Sequence, residues 1–150
     1  MEKTLHEQKA TELFRRGFNC SQSVFAAFSD VTGIDEETAL KLSCPLGGGF
    51  GRLREVCGAV SGMLMAYGAV YGNPVGEDQD AKTACYEVTR ALCSDFKNEF
   101  GSIICKDLLK GLIDPSTFAP SVRTEEFYAR RPCEKCIAYC ARLLDEKIFK

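Results

Sequence analysis

The chain has 150 residues, 45% of them hydrophobic, with 19 basic against 21 acidic side chains and a formal net charge of −2. That size suits one domain with a sizeable core. A slightly acidic balance with only short basic clusters such as Arg130-Arg131 argues against a nucleic-acid partner.

The N-terminal stretch to Phe14 carries charges every few residues and lacks the apolar core of a signal peptide, so a cytoplasmic location is expected. Nine cysteines are an odd number and fall short of the density of secreted disulfide scaffolds. In a reducing compartment they serve as thiols, metal ligands or catalytic disulfides.

Apolar residues recur at helical spacing nearly throughout and no run alternates for long, which predicts an all-α fold of about six helices. Lys3 to Arg16 sets Leu5, Ala10, Leu13 and Phe14 on one side and stops at Gly17. Asn19 is a cap for a second helix, with Cys20 at its first position and Val24, Phe25, Ala27, Phe28 and Val31 as its stripe before Gly33. Asp35 caps a short third helix over ETALKLS. Cys44-Pro45 and the run Gly47-Gly48-Gly49-Phe50-Gly51 then require a loop.

The next helix is expected from near Cys57 to Gly72. Its stretch from Val56 to Tyr71 is almost uncharged but shorter than the roughly 20 residues that cross a bilayer, so it reads as buried, with no membrane span. Gly58, Ala59, Ser61, Gly62 and Gly68 give it a thin surface for close packing, in a homodimer or within the chain. A long helix follows from Asp78 to Phe100, closed by Gly101. Ser102 is read as the cap of a helix through Leu112, with Cys105 in its first turn. Asp114 to Arg131, including Pro115 and Pro120, is a long excursion with one helical turn at Glu125 to Arg130. Pro132 opens the last helix, placing Cys133 in its first turn.

Four cysteines, Cys20, Cys57, Cys105 and Cys133, therefore stand at expected helix starts. Unpaired N–H groups and the macrodipole favour a thiolate there, each dipole by about 0.3–1 kcal/mol. The surrounding segments, GFNCSQSVFAAF, REVCGAVSGMLMAYG, EFGSIICKDLL and CEKCIAYCARLL, together with GGGFGR, resemble the C_GCAxxG_C_C family of redox-active proteins over nearly the whole chain. The central signature corresponds to Cys57-Gly58-Ala59-Val60-Ser61-Gly62, and the flanking single cysteines to Cys20, Cys105 and Cys133. The resemblance implies redox activity through these four residues, with an unidentified redox partner protein. Related domains occur in split-Soret cytochromes c, which bind haem and are associated with an iron–sulfur centre; that precedent favours metal. Covalent haem is not expected, because Cys133-Glu134-Lys135-Cys136 is followed by Ile137 rather than histidine.

His6 is the only histidine, which removes histidine-rich zinc sites and most triad chemistry. Two thiolates about 4 Å apart at an effective dielectric near 20 repel by roughly 4 kcal/mol, more than a few dipoles offset. If Cys20, Cys57, Cys105 and Cys133 converge, they hold an iron–sulfur cluster or zinc as metal ligands, or else lie as thiols and disulfides. The leading reading is an iron–sulfur cluster for electron transfer. The alternatives are a thiol–disulfide oxidoreductase, with Cys133 as nucleophile and Cys136, Cys57 or Cys105 resolving, and a zinc-stabilised or metal-free interaction domain.

The other features have plainer readings. Cys85, Cys93 and Cys140 are core packing, Cys136 is packing or the partner of Cys133, and Cys44 is a loop residue or a mobile resolving thiol. The glycine run lacks the GK[ST] of a P-loop and reads as tight turns. Arg52 and Arg54 are expected as solvated or salt-bridged surface groups, Met63 and Met65 as core, and the Gly58/Gly62 spacing as a helix contact.

Overall fold

The computed structural model describes residues 2–114 and 116–150. The placement of Pro115 in the excursion lies outside them. Among the described residues the fold is all-α, with six helices of eight residues or more: α1 (Leu5–Arg15), α2 (Cys20–Ala27), α3 (Glu36–Ser43), α4 (Gly58–Tyr71), α5 (Gln79–Phe100) and α6 (Cys133–Leu143).

Polar caps set most of the helix starts. Thr4 and Glu7 form a reciprocal capping box on α1, and Asn19 and Gln22 form another on α2. Asp35 and Asp78 accept from the amides of Thr38 and Ala81 at the heads of α3 and α5. Gly33 and Gly101 end their helices in the left-handed conformation, and Gly17 at φ 102° turns the chain out of α1. The stripe expected to run unbroken from Cys20 to Val31 is interrupted at Phe28, after which Ser29–Thr32 makes a separate turn.

Helix α2 is the centre of the packing, with α1, α3, α4 and α6 against it. Six of its eight residues are buried. The contact with α4 is close because α4 presents glycine there: a Cβ on Gly62 would stand 2.6 Å from the carbonyl oxygen of Ser21, and one on Gly58 3.1 Å from Cys20 Cβ. Gly58 and Gly62 are thus engaged within the chain, and this contact sets the head of α2 beside the head of α4. Helix α6 lays Cys136, Ile137, Cys140 and Ala141 into the core. The Arg142–Glu7 ion pair at 3.0 Å ties α6 to α1. Helix α5 is mostly solvated and anchors through buried Leu92 and Phe96, each worth about 1.5–3 kcal/mol of apolar burial. Cys85 and Cys93 are half-buried on it and pack against the core, as expected.

Two elements differ from expectation. The helix expected from Ser102 to Leu112 is one turn, Cys105–Leu108, headed by Ile104. Ser102 instead takes the Ile104 amide on its hydroxyl, and Gly111 at φ 80° leaves the helical region. In its place the chain forms an isolated antiparallel bridge between Val56 and Ile104. The Cys57 amide donates to Ile103 O at 2.7 Å and the Cys105 amide to Glu55 O at 2.6 Å, which lashes the approaches to Cys57 and Cys105 together.

No helix among the described residues is long and apolar enough to cross a membrane.

Candidate functional site

The heads of α2, α4 and α6, the turn at Cys105 and the glycine run surround one cavity of about 410 Å³. Cys20, Cys57, Cys105 and Cys133 all line it, joined by Cys136 and, at an exposed position, Cys44. Cys20 and Cys133 are the first residues of their helices, and Cys57 sits one residue earlier, at the cap position of α4. Pro132 takes the cap position of α6 rather than its first turn. Cys140, one turn beyond Cys136, is fully buried in the core and does not reach the cavity.

The sulfurs are arranged in pairs. Cys20 lies against Cys133, and Cys57 against Cys136. Within each pair one thiol acidifies the other. Cys20 holds Cys133 below the ordinary thiol value, burial works against this, and Arg131, Arg54 and Arg123 reinforce it. Cys57 is likewise lowered, by Cys136 first and then, against burial, by the amides of Ala59 and Val60. Their neighbours move the other way: Cys20 and Cys136 are raised well above the ordinary value by the facing thiol and by burial. Burial also raises Cys105, although Arg54 Nη1 donates to its sulfur at 3.6 Å. Cys133 therefore has Cys20, not Cys136, as its thiol neighbour. From the first turn of α6, three residues carry Cys136 round toward Cys57 and the core.

Arginine was the residue type the sequence undervalued. Arg54, expected at the surface, is 2% exposed. The glycine run makes this burial feasible, since Gly48, Gly49 and Gly51 all have positive φ and a Cβ on Gly49 would stand 2.8 Å from Arg54 Cα. Phe50, Arg52 and Arg54 themselves hold φ of 68°, 69° and 63°, sparsely populated for residues with a Cβ and costing of order 1–3 kcal/mol each. Strain of that size persists where the surroundings enforce it, and here it turns Arg52 and Arg54 into the cavity. Arg52 is half-buried rather than solvated, and its Nη1 donates to Ser121 Oγ at 3.1 Å. Arg131 donates to the same hydroxyl at 3.2 Å and lies over the Phe127 ring. Arg123 spends its donors on the carbonyls of Phe14 and Phe18, closing the end of α1.

Among the described lining residues there is no carboxylate. Among the described residues no three cysteine, histidine, aspartate or glutamate side chains are set to share one metal ion. The chemistry available is that of soft sulfur donors in a cationic, half-enclosed cavity: pairwise thiol oxidation, or ligation of a centre that spreads its ligands over several atoms.

A family model described as "Putative redox-active protein (C_GCAxxG_C_C)" matches residues 18–147. The match covers most of the chain, and the chain belongs to that family. Comparison with curated proteins and with solved structures returns no match.

Proposed function

We propose that this C_GCAxxG_C_C protein is an electron carrier in which Cys20, Cys57, Cys105 and Cys133 ligate an iron–sulfur cluster. The observation that carries the reading is the convergence of four sulfurs from four separate segments on one cavity whose charged lining groups are all guanidinium. An iron–sulfur core bound by four thiolates is net negative, and such a centre suits that lining better than it would suit a carboxylate-rich one. The donor set fits the group: it is all sulfur, and thiolates that would repel one another in an apo cavity are held together by iron. When bound, the cluster supplies reversible one-electron transfer.

The chain's own part is to bring the ligands in from four helix heads and to shield them. Ala59 and Val60 direct backbone amides at Cys57, Arg54 directs a guanidinium N–H at Cys105, and hydrogen bonds of this kind to sulfur tune a cluster's potential. The reading includes a redox partner protein and a reducing, cytoplasmic setting, which an odd complement of nine cysteines supports. Anaerobically purified or reconstituted protein should be coloured and contain iron and acid-labile sulfide, both lost in Cys57→Ser. Colourless, iron-free protein after reconstitution would overturn the reading.

The nearness of Cys20 to Cys133 favours a second reading. In a thiol–disulfide oxidoreductase, the Cys133 thiolate would attack a substrate disulfide and release one substrate thiolate, which takes up a proton. Cys20, after giving up its proton, would then displace the second, leaving a Cys20–Cys133 disulfide and a substrate reduced by two electrons. Iron-free protein that reduces insulin disulfides, loses this activity in Cys133→Ser and traps a mixed disulfide in Cys20→Ser would establish it.

A further inference from the structure

Arg54 carries a feature that neither sulfur reading requires. A guanidinium has five N–H donors and no acceptor capacity, and it stays charged at any pH the fold survives. Buried at 2% exposure, Arg54 would be expected to sit against a carboxylate or a set of carbonyls. Its side-chain partner is instead the sulfur of Cys105, reached by Nη1. Its Nε and Nη2 are buried with no hydrogen-bond partner, and the Nε of Arg52 is in the same condition.

Arg52, Arg54 and Arg131 lie close enough to act on one another. Burial and then the charges of Arg54 and Arg131 lower the proton affinity of the Arg52 guanidinium. Ser121 joins two of the three by accepting from both Arg52 and Arg131. These three cations, beside Arg123, line a cavity with no carboxylate among its described lining residues, and with donors of Arg52 and Arg54 buried and unmet they are complementary to negative charge carried on several oxygens. Guanidinium forks match such groups two bonds at a time. The strained backbone at Arg52 and Arg54 is the kind of cost found where a binding geometry is enforced.

We propose that Arg52, Arg54 and Arg131, with the hydroxyl of Ser121, form a binding site for a small, multiply charged oxyanion of the phosphate or sulfate class beside the cysteine cluster. The site is bordered by Phe118 and Pro120, both exposed, so an anion has a short path from solvent. Its position places the bound anion next to Cys105, within reach of whatever the sulfurs exchange. The inference rests on the arginines alone and stands whether the sulfurs hold a cluster or act as thiols.

The test is isothermal titration of the full chain with inorganic phosphate and with sulfate at constant ionic strength, chloride serving as the control. It is run on anaerobically reconstituted and on chelator-stripped protein, with iron and sulfide measured on each. Saturable binding of either oxyanion in either form, with Kd of about 1 mM or tighter and none for chloride, is expected. Arg54→Gln should weaken it by about tenfold or more, and Arg131→Gln, at a half-buried position more tolerant of change, should weaken it too. Arg130→Gln, which removes only an exposed pair with Glu126, should leave it unchanged. No saturable binding in either form, or binding that survives both Arg54→Gln and Arg131→Gln in folded protein, overturns the proposal. Iron content is read separately, so this failure and that of the cluster reading are distinguishable.

Discussion

The closeness of α2 and α4 holds the heads of both helices, and with them Cys20 and Cys57, on one cavity. Gly62→Ala tests that contact directly. A Cβ at Gly62 would lie 2.6 Å from Ser21 O, 3.1 Å from Val24 Cβ and 3.3 Å from Phe25 N. Two of these three atoms belong to the backbone of α2, so no side-chain rotation relieves the overlap and the helices must separate. Forcing a methyl into a packed core costs about 1–3 kcal/mol, while replacing a helical glycine by alanine returns about 1 kcal/mol. The net expectation is a loss of up to about 2 kcal/mol. Gly68→Ala is the internal reference, because a Cβ at Gly68, on the same helix, meets nothing within 4 Å. That variant should gain about 0.5–1 kcal/mol. Urea denaturation followed by circular dichroism reads both, and the melting temperatures should move in opposite directions by about 2–4 °C per kcal/mol for a chain of this size. If Gly62→Ala stabilises the fold as Gly68→Ala does, α2 and α4 are not in the contact described, and the convergence of Cys20 and Cys57 loses its structural cause.

Removing the α2 cap by Asn19→Ala should cost about 1–2 kcal/mol, since Asn19 accepts from the Gln22 amide at 3.0 Å and its Nδ2 also donates to Cys44 O at 3.0 Å; urea denaturation checks it. Stability of the metal-free, reduced protein should fall as pH rises through about 9. Folded-state values of Cys20, Cys93, Cys105, Cys136 and Cys140 are raised, so above the ordinary thiol value of 9.0 the unfolded chain releases these protons before the folded one does. Lowered Cys57 and Cys133 act in the opposite sense only below 9.0, where the unfolded chain still holds its protons, and add nothing further above it. Denaturation midpoints that hold steady or rise between pH 9 and pH 10 would contradict this reasoning. Cys140→Ala should cost about 1 kcal/mol through lost packing at a fully buried position and leave iron content unchanged, whereas Cys133→Ala should abolish it; elemental analysis separates the two.

Much of the helical framework was legible because its signals are local. Asn19, Asp35 and Asp78 are caps that act within three residues, and Gly33 and Gly101 stop helices by their own conformational freedom. The place of Cys20 followed from the Asn19 cap and that of Cys133 from Pro132 just before it, whereas Cys105 heads its turn without the Ser102 cap expected for it. The unread parts depend on partners far apart in the chain. Nothing near Val56 signals Ile104, and the bridge between them competes with the helix that Ser102 was expected to start. Cys133 and Cys136 have the spacing of a dithiol motif, yet Cys133 opens α6 against Cys20 while Cys136 turns toward Cys57. Nothing beside Arg54 in the sequence signals burial, and a solvated or salt-bridged surface role is what its residue type suggests. Its burial depends on backbone angles that three glycines and an uncommon arginine conformation make together. The run Gly47 to Gly51 signalled a turn without signalling what the turn would carry inward.

Charge ties the two halves of the cavity together. Four guanidiniums line it, Arg52, Arg54, Arg123 and Arg131, and Arg123 gives its donors to the carbonyls of Phe14 and Phe18 while its charge still favours the Cys133 thiolate. Against these four positive charges the thiols supply negative charge chiefly through Cys57 and Cys133, the two whose values are lowered. The thiol form of the cavity is therefore short of negative charge. A cluster bound by four thiolates makes up that deficit from the sulfur side, and an oxyanion on Arg52, Arg54 and Arg131 makes it up from the other. Both occupants draw on one electrostatic imbalance, so cluster loading should weaken oxyanion binding, and by linkage the oxyanion should weaken retention of the cluster by the same factor.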